Sequence, residues 1–252
     1  MVMDVTVASR DGSHFDDFAD MMSAEGPQQR WDILVRAFTR SGLPRLAYGF
    51  ADAGAFAGAG LCTGMAMSTM STQLMDRYFG GGYHTVDPLI QYLRAGRLEP
   101  LPFDIDAMQD PPEALRDIRA MGVVSGMLVP LPPLSGCPVA GLIAGSEQTF
   151  EKTSGMLERD CRRLVALTHL FHARASGELM RRRDGAAALT PRERDSLQMI
   201  ARGERVASVA HQLGLAEATI ELHLRNARRK LGARSLPEAV ARGLLYRQIE
   251  PG

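Results

Sequence analysis

The chain of 252 residues has little from which to build a disulfide framework or a thiolate metal site. Its three cysteines, Cys62, Cys137 and Cys161, lie far apart and form no C-x-x-C pair. An odd, scattered set of this kind fits a reducing cytosol better than a secreted scaffold. We therefore expect a cytoplasmic protein without a bound metal or other cofactor.

Membrane spans and enzyme motifs are also missing. Residues 120–146 carry no charge, but four prolines and five glycines interrupt them, which favours two buried strands around a turn. The N-terminus has no basic start before an apolar run, so no signal peptide is expected. No Gly-x-Ser-x-Gly or paired-acid motif occurs, and His169 and His172 have no evident third metal ligand. We expect no membrane partner, no catalytic residues and no enzyme, and we interpret the two histidines as structural or interface residues.

The net charge is zero, but it is unevenly distributed. Residues 186–252 carry eleven Lys and Arg against seven Asp and Glu, whereas the rest of the chain carries 18 against 22. A basic tail behind an acidic body of ordinary hydrophobic content predicts two domains. We place them at 1–174 and 189–252, and interpret 175–188, which shows no apolar periodicity, as the linker.

The body alternates helical and extended patterns. The spacing predicts helices over 27–41, 71–79, 87–95 and 153–174, with Thr153 or Ser154 as the cap of the last one, and a further helix at PPEALRDIRAMG. RLAYGFAD, LCTGMAMST and the hairpin after Gly122 read as strands, and EPLPFD reads as a loop. This order predicts an α+β fold, an α/β/α sandwich with a central antiparallel sheet.

The tail carries the signals of four short helices. Thr190, Pro191 and Glu193 form a capping box with proline at the first helical position. The next helices are predicted at Val206–Leu213 and from Glu217 to Leu231, and a fourth at about 236–246 behind a second capping box at Ser235 and Glu238. Helices two and three, joined by a Gly-Leu-Ala turn, predict a helix-turn-helix within a C-terminal four-helix domain.

The third helix of the tail has two contrasting stripes. Ile220, Leu224, Ala227 and Leu231 form a core stripe, whereas Ala218, Leu222, Arg225 and Arg229 share the opposite side. Small and apolar residues beside arginines suit a major groove, although Leu222 could instead pack on a partner protein. The candidate DNA-binding residues are Ala218, Thr219, Glu221, Leu222, Arg225, Asn226, Arg228, Arg229 and Lys230.

The tail resembles the LuxR-type four-helix DNA-binding domain over some sixty residues. The matching marks include Leu189-Thr190, Arg192-Glu193, Thr219-Ile220 and Lys230-Leu231. One departure is Ala216, where the family usually has a capping serine; its loss should weaken the helix start by about 1 kcal/mol. Such tails also occur on response regulators and ATP-dependent activators. The body excludes both, because its only lysine, Lys152, opens a helix and no Gly-Lys pair exists.

The body resembles the autoinducer-binding domain of quorum-sensing LuxR-type regulators. The marks are Tyr78 nine residues before Asp87-Pro88, Gly126, and Phe171-His172-Ala173-Arg174. The resemblance implies that Asp87 accepts a hydrogen bond from the ligand's amide N–H and that Tyr78 bonds a ligand carbonyl. Without the resemblance, Asp87 fits a helix cap equally well.

Several positions depart from the family's ligand site. The tryptophan that normally holds a lactone carbonyl falls on Leu74, and a neighbouring aromatic falls on Met70. A later aromatic falls near Pro102 or Phe103, and a polar position on the hairpin falls on Leu142 or Ile143. A missing donor for a buried carbonyl costs on the order of 1–3 kcal/mol, so an atypical relative of an acyl-homoserine lactone is also a candidate signal. The candidate ligand-binding residues are Tyr78, Asp87, Met70, Leu74, Phe103 and Ile143.

We therefore predict a quorum-sensing transcriptional regulator that binds a small apolar signal in its body. It is expected to bind double-stranded DNA as a homodimer, because two-fold partners read an inverted repeat. The helix at 153–174 and the last helix are the expected dimer surfaces. The alternative is a ligand-independent regulator, or an antiactivator that forms heterodimers with related regulators.

Overall fold

A computed structural model describes residues 13–51, 65–108, 111–120, 122–134 and 137–250. The chain divides into a first compact unit, which ends at Ala173, and a second that takes in Arg174–Gly252. The helices of the first unit are α1 (Ser13–Ser23), α2 (Gly26–Arg40), α3 (Thr72–Gly80), α4 (Pro88–Arg94), α5 (Glu113–Ala120) and the greater part of α6 (Phe150–Arg183). Its strands are β1 (Arg45–Ala51), β2 (Met65–Ser68), β3 (Leu101–Asp104), β4 (Ser125–Pro130) and β5 (Val139–Ser146).

The five strands form one antiparallel sheet in the order β2-β1-β5-β4-β3. The uncharged stretch forms the hairpin β4–β5, as predicted, and RLAYGFA forms β1. Of LCTGMAMST, residues 65–68 form β2, and residues 61–64 lie outside the described residues. The predicted α+β class, with a central antiparallel sheet, is confirmed.

The loop prediction for EPLPFD is wrong, because residues 101–104 form strand β3. Pro102 pairs with Met127 of β4, and β3 is the last strand of the sheet. A proline lacks an N–H for the ladder, but an edge strand leaves one side of its backbone unpaired. The edge position therefore accommodates a residue that usually indicates a loop.

One face of the sheet packs on α2 and α6. The Tyr48 ring of β1 meets the Phe171 ring of α6 edge-on at 4.9 Å, and Trp31 of α2 lies 5.8 Å from the same ring. The Tyr48 hydroxyl lies 2.9 Å from Nδ1 of the buried His172, so this histidine is part of the core, as the sequence analysis expects. His169 is half-buried, and burial lowers its pKa.

Helix α1 has no counterpart among the sequence predictions. Its buried Asp17 receives hydrogen bonds from Arg40 Nη2 at 2.5 and 2.6 Å and from Arg163 Nη1 at 3.1 Å. Arg163 Nη2 also donates to the Ser41 hydroxyl at 3.0 Å. A buried carboxylate with several charged donors is stable in its place, so this cluster fixes α1 to α2 and α6.

The predicted ends of α6 are wrong on both sides. The helix begins at Phe150, so neither Thr153 nor Ser154, the two proposed caps, caps it. Thr153 is buried inside the helix with its hydroxyl 2.6 Å from the Ser125 hydroxyl, and the Ser154 hydroxyl donates to the Glu151 carbonyl at 2.9 Å. The helix continues to Arg183, through most of the linker predicted over 175–188. Phe171, Ala175 and Leu179 are buried at i, i+4 and i+8. The apolar stripe therefore continues, and small residues such as Ala175 conceal it in the sequence.

The second unit contains α7 (Pro191–Ala201), α8 (Val206–Leu213), α9 (Glu217–Lys230) and α10 (Leu236–Leu245), together with the end of α6. Thr190 and Glu193 form the predicted capping box at α7. Ser235 caps α10, but Glu238 reaches back to the N–H of Arg234 instead of its own N-cap residue. Ala216 offers α9 no side-chain cap, as predicted.

No helix within the described part of the chain has the length and apolar character needed to cross a membrane.

Candidate functional sites: an internal cavity and an exposed helix

A cavity of about 100 Å³ lies between the second face of the sheet and helices α3, α4 and α5. Alternate residues of β1 (Ala47, Gly49 and Ala51) form part of its floor, and β5 adds Gly141 and Gly145 beside them. None of these residues has a side chain longer than a methyl group. The small residues of β1 therefore leave space that larger side chains would fill.

The glycines of β5 are closely covered by the opposite wall. A Cβ atom on Gly145 would lie 2.5 Å from Cγ1 of Val123, and one on Gly141 would lie 2.8 Å from Cδ1 of Leu93. Because both distances are shorter than real Cβ contacts, a larger residue at either position would displace the wall of the cavity.

A buried carboxylate is the main polar feature of this apolar cavity. Asp87 is 1% exposed; its Oδ2 accepts a 2.5 Å hydrogen bond from the Tyr78 hydroxyl, and its Oδ1 accepts one of 2.8 Å from the Leu89 N–H. Asp87 is also the N-cap of α4, with Pro88 at the first helical position. The same carboxylate therefore caps α4 and lines the cavity.

The environment of Asp87 shifts its titration. Burial raises the pKa of its carboxyl, and the hydrogen bonds from Tyr78 and from the Leu89 and Ile90 backbone offset part of that rise, which leaves the pKa above its ordinary value. The ionised form of Asp87 is therefore less favourable in the folded protein than it is in water. An additional hydrogen-bond donor from a ligand would reduce this difference.

Five of the six predicted ligand residues line the cavity: Met70, Tyr78, Asp87, Phe103 and Ile143. Leu74 is buried but is not among the described residues that line it, whereas Met75, the next residue of α3, is. The alternative between Leu142 and Ile143 is settled by strand alternation, since Ile143 faces the cavity and the buried Leu142 does not line it.

Other lining residues were missed by the sequence analysis. They include Arg45, Phe79, His84, Leu115, Ile118 and Val123. Their individual patterns resemble ordinary core or surface positions, and only the packing of α3 and α5 over the sheet brings them together. The period-2 alternation of β1 was the one available signal, because it places residue 45 on the same face as Ala47 and Gly49.

The second candidate site is the outward side of α9. Ala218, Glu221, Leu222, Arg225, Arg228 and Arg229 are exposed, and Thr219, Asn226 and Lys230 are half-buried. Leu222 is 46% exposed, which is unusual for a large apolar side chain. The core stripe is buried as predicted, so the helix offers a mixed apolar and basic surface next to solvent.

Lys230 differs from the other predicted DNA-binding residues. Its ammonium donates a 2.7 Å hydrogen bond to Oε2 of Glu193, the carboxylate that also completes the cap of α7. Burial raises the pKa of Glu193, but hydrogen bonds from Lys230 and Thr190 outweigh it, and the pKa is lowered. Lys230 therefore connects α9 to α7, which the sequence analysis did not anticipate.

No group of three or more potential metal-ligating side chains occurs among the residues that the structure describes.

Comparisons with known families match both parts of the chain. The profile of the autoinducer binding domain matches residues 26–175, and the profile described as bacterial regulatory proteins, luxR family, matches residues 187–242.

Three curated relatives are 25–27% identical in sequence. The transcriptional activator protein BjaR1 of Bradyrhizobium diazoefficiens is 25% identical over 69% of this chain and 71% of its own. The quorum sensing-dependent regulator VjbR of Brucella abortus is 27% identical over 71% of each chain. A putative regulator of Sinorhizobium fredii, y4qH, is 27% identical over 67% of this chain, and the match spans only 52% of that relative's length.

Solved structures share the fold. The N-acylhomoserine lactone-dependent LuxR family factor CepR2 of Burkholderia cenocepacia superposes with a TM-score of 0.55, at 18% identity over 66% of this chain and 96% of that one. Escherichia coli SdiA superposes with a TM-score of 0.52, at 14% identity over 93% of this chain and 96% of that one.

Proposed function

Because this chain belongs to the LuxR family of quorum-sensing transcriptional regulators, we propose that it couples a small apolar signal in the cavity to DNA binding by the second unit. Members of this family regulate transcription and are not enzymes. The signal is an acyl-homoserine lactone or an atypical relative, and the target is an inverted repeat bound by a homodimer in the cytoplasm.

The observation that carries the signal-binding part is the carboxylate of Asp87 inside an apolar cavity. A purely structural cap lies at low cost near solvent, whereas this one is 1% exposed and titrates above its ordinary range. An amide N–H of a ligand would give the carboxylate one more donor, and the small residues of β1 that line the cavity leave room for an acyl chain.

Fewer hydrogen-bonding partners are identified for the head group of the ligand than for its amide. Leu74 replaces the tryptophan expected from the family resemblance, and the nearby residues Met70 and Met75 line the cavity. Thioether side chains adapt to different shapes but donate no strong hydrogen bond. SdiA has been solved with octanoyl-rac-glycerol, an acyl compound without a lactone, which supports testing ligands beyond homoserine lactones.

Ligand control follows from linkage. A signal that fills the cavity binds the folded first unit and not the unfolded chain, so it stabilises the fold by about 2.7 kcal/mol at a free concentration one hundred times its Kd. We propose that this stabilisation increases the fraction of dimer that can bind DNA.

The test is to express the protein in a signal-producing host and identify the small molecules that co-purify with it by mass spectrometry. The expected result is an acylated amide that co-purifies with wild type but not with Asp87→Asn. This compound should raise the melting temperature of ligand-free wild type when it is added. Signal control would be contradicted if the folded, ligand-free protein bound its DNA site as tightly without such a compound as with it.

The same purified protein tests the dimer. We expect the homodimer to bind an inverted-repeat site by itself. A folded protein that binds no DNA alone, but removes a related regulator from its operator, would support the antiactivator alternative instead.

A further inference from the structure

One charged side chain lies in the cavity lining at its solvent edge. Arg45 is the first residue of β1, and strand alternation places it on the cavity face together with Ala47, Gly49 and Ala51. Among the described residues that line the cavity, Arg45 alone is exposed; the others are buried or half-buried. The cavity therefore reaches solvent beside a guanidinium group.

This guanidinium forms no ion pair with any described residue. Arg45 Nη2 and Glu147 Oε2 each lie 3.8 Å from the position that a Cβ would take on Gly122, yet the two groups do not pair with each other. The donors of Arg45 thus remain available to a group that arrives from solvent or from the cavity. Glu147 is a competing negative charge at the same edge.

The carboxylate and the guanidinium of the cavity lining differ in burial and in role. Asp87 is buried and accepts hydrogen bonds, whereas Arg45 is exposed and only donates them. The cavity follows β1 along its whole length from Arg45 to Ala51, which is roughly 20 Å at the rise of a strand. An elongated ligand can therefore meet a polar group at a buried point and another at the solvent edge.

We propose that the cavity accepts an amphiphile with two different polar ends, an amide-type donor at Asp87 and a carboxylate at Arg45. A guanidinium binds a carboxylate through two parallel hydrogen bonds. The rest of this part of the chain is acidic, with 22 Asp and Glu against 18 Lys and Arg before residue 186, so Arg45 provides an attractive site where the surroundings repel an anion. The inference rests on the proposed signal-binding function and names the chemistry of the ligand's outer end.

The test compares pairs of N-acyl homoserine lactones of equal length, whose acyl chains end in a methyl group or in a carboxylate. Ligand-free full-length protein is titrated with each pair, over a series of chain lengths, at low and high salt. An exposed pair is weak, so wild type should bind the carboxylate member of the best-fitting pair about two- to fivefold more tightly at low salt. The preference should decrease at high salt.

Variants assign the preference to Arg45. Arg45→Met should bring the ratio of the affinities for the two members of a pair close to one, whereas Arg45→Lys should retain part of the preference for the carboxylate. Arg36→Met, which removes an exposed arginine of α2 outside the cavity lining, should leave it unchanged. A melting curve of each ligand-free variant shows that the fold is intact.

The possible failures are distinguishable. Equal binding of both members by wild type, or a preference that survives in Arg45→Met, would overturn the role of Arg45 and leave the cavity as the signal site. If wild type binds no member of any pair, N-acyl homoserine lactones are excluded as the signal, and the inference about the outer end of their acyl chain falls with them.

Discussion

Asp87 combines two roles that point mutations can separate. Its Oδ1 accepts the Leu89 N–H and caps α4, while its Oδ2 accepts the Tyr78 hydroxyl beside the cavity. Asparagine caps helices about as well as aspartate, so Asp87→Asn should keep the helix and remove the anionic acceptor. Alanine removes both.

We expect Asp87→Asn to keep the unfolding free energy of the ligand-free protein at or above that of wild type at neutral pH, because the buried charge is removed, and to weaken the response to an amide signal at least tenfold. Asp87→Ala should also lose about 1 kcal/mol of stability through the missing cap. Urea unfolding measures the change in stability, and a dose–response curve for the signal measures the change in ligand response. An unchanged dose–response in Asp87→Asn would remove this residue from the ligand site.

The raised pKa of Asp87 predicts a pH effect of defined sign. A carboxyl whose folded pKa lies above its ordinary value of 3.8 binds its proton more tightly in the folded state. Stability contributed by this group is therefore present at low pH and is lost as the pH rises from 3.8 through the raised value. In urea unfolding over that range, wild type should lose stability relative to Asp87→Asn; parallel profiles would show that the carboxyl is not strained.

At the scale of single elements, α9 begins without a side-chain cap. Ala216 already has the extended backbone of an N-cap, with φ −72° and ψ 146°, but no side-chain oxygen. Ala216→Ser should therefore stabilise the second unit by about 1 kcal/mol. The matched control is Ala241→Ser at an exposed interior position of α10, where serine should cost up to about 0.5 kcal/mol. Denaturant unfolding compares them, and equal shifts would contradict the capping argument.

Two glycines of α6 make a second comparison. A Cβ on Gly177 would lie 2.7 Å from the Tyr246 carbonyl oxygen, whereas nothing lies within 4 Å of one on Gly155. Alanine favours a helix over glycine by about 1 kcal/mol, so Gly155→Ala should stabilise the protein. Gly177→Ala should destabilise it, because the backbone at residue 246 must move. If both variants are stabilised, the end of α6 does not pack closely against the backbone at residue 246.

The elements with strong local signals were predictable from the sequence, and those that depend on tertiary context were not. Thr190, Pro191 and Glu193 fix the start of α7 within one turn, and the prediction was correct. Strand β3 was missed because the acceptability of Pro102 depends on its place at the sheet edge, and α6 was cut short because Ala175 and Gly177 look like linker residues. The cavity was predicted in part: Tyr78 and Asp87 lie in a recognisable motif, whereas Arg45 and Ile118 join them only through the fold.

At the scale of the whole molecule, charge is divided according to the two units. The basic residues exceed the acidic ones only after residue 185, where α9 exposes three arginines around Leu222. Such a distribution attracts the second unit to the phosphate backbone while the first unit contributes no affinity of that kind. We propose that sequence preference then comes from the exposed residues of α9.

The exposed side of α9 is proposed to recognise a DNA sequence. The most direct measurement is a selection of random duplex DNA by full-length protein expressed in a signal-producing host, in parallel with Arg225→Ala, Arg229→Ala and the control Arg36→Ala. Wild type and the control should enrich two inverted half-sites whose centres lie about one helical turn, or a multiple of it, apart, and the α9 variants should lose this enrichment while remaining folded. Enrichment that is identical in Arg225→Ala and Arg229→Ala, or no enrichment by folded wild type, would contradict the account.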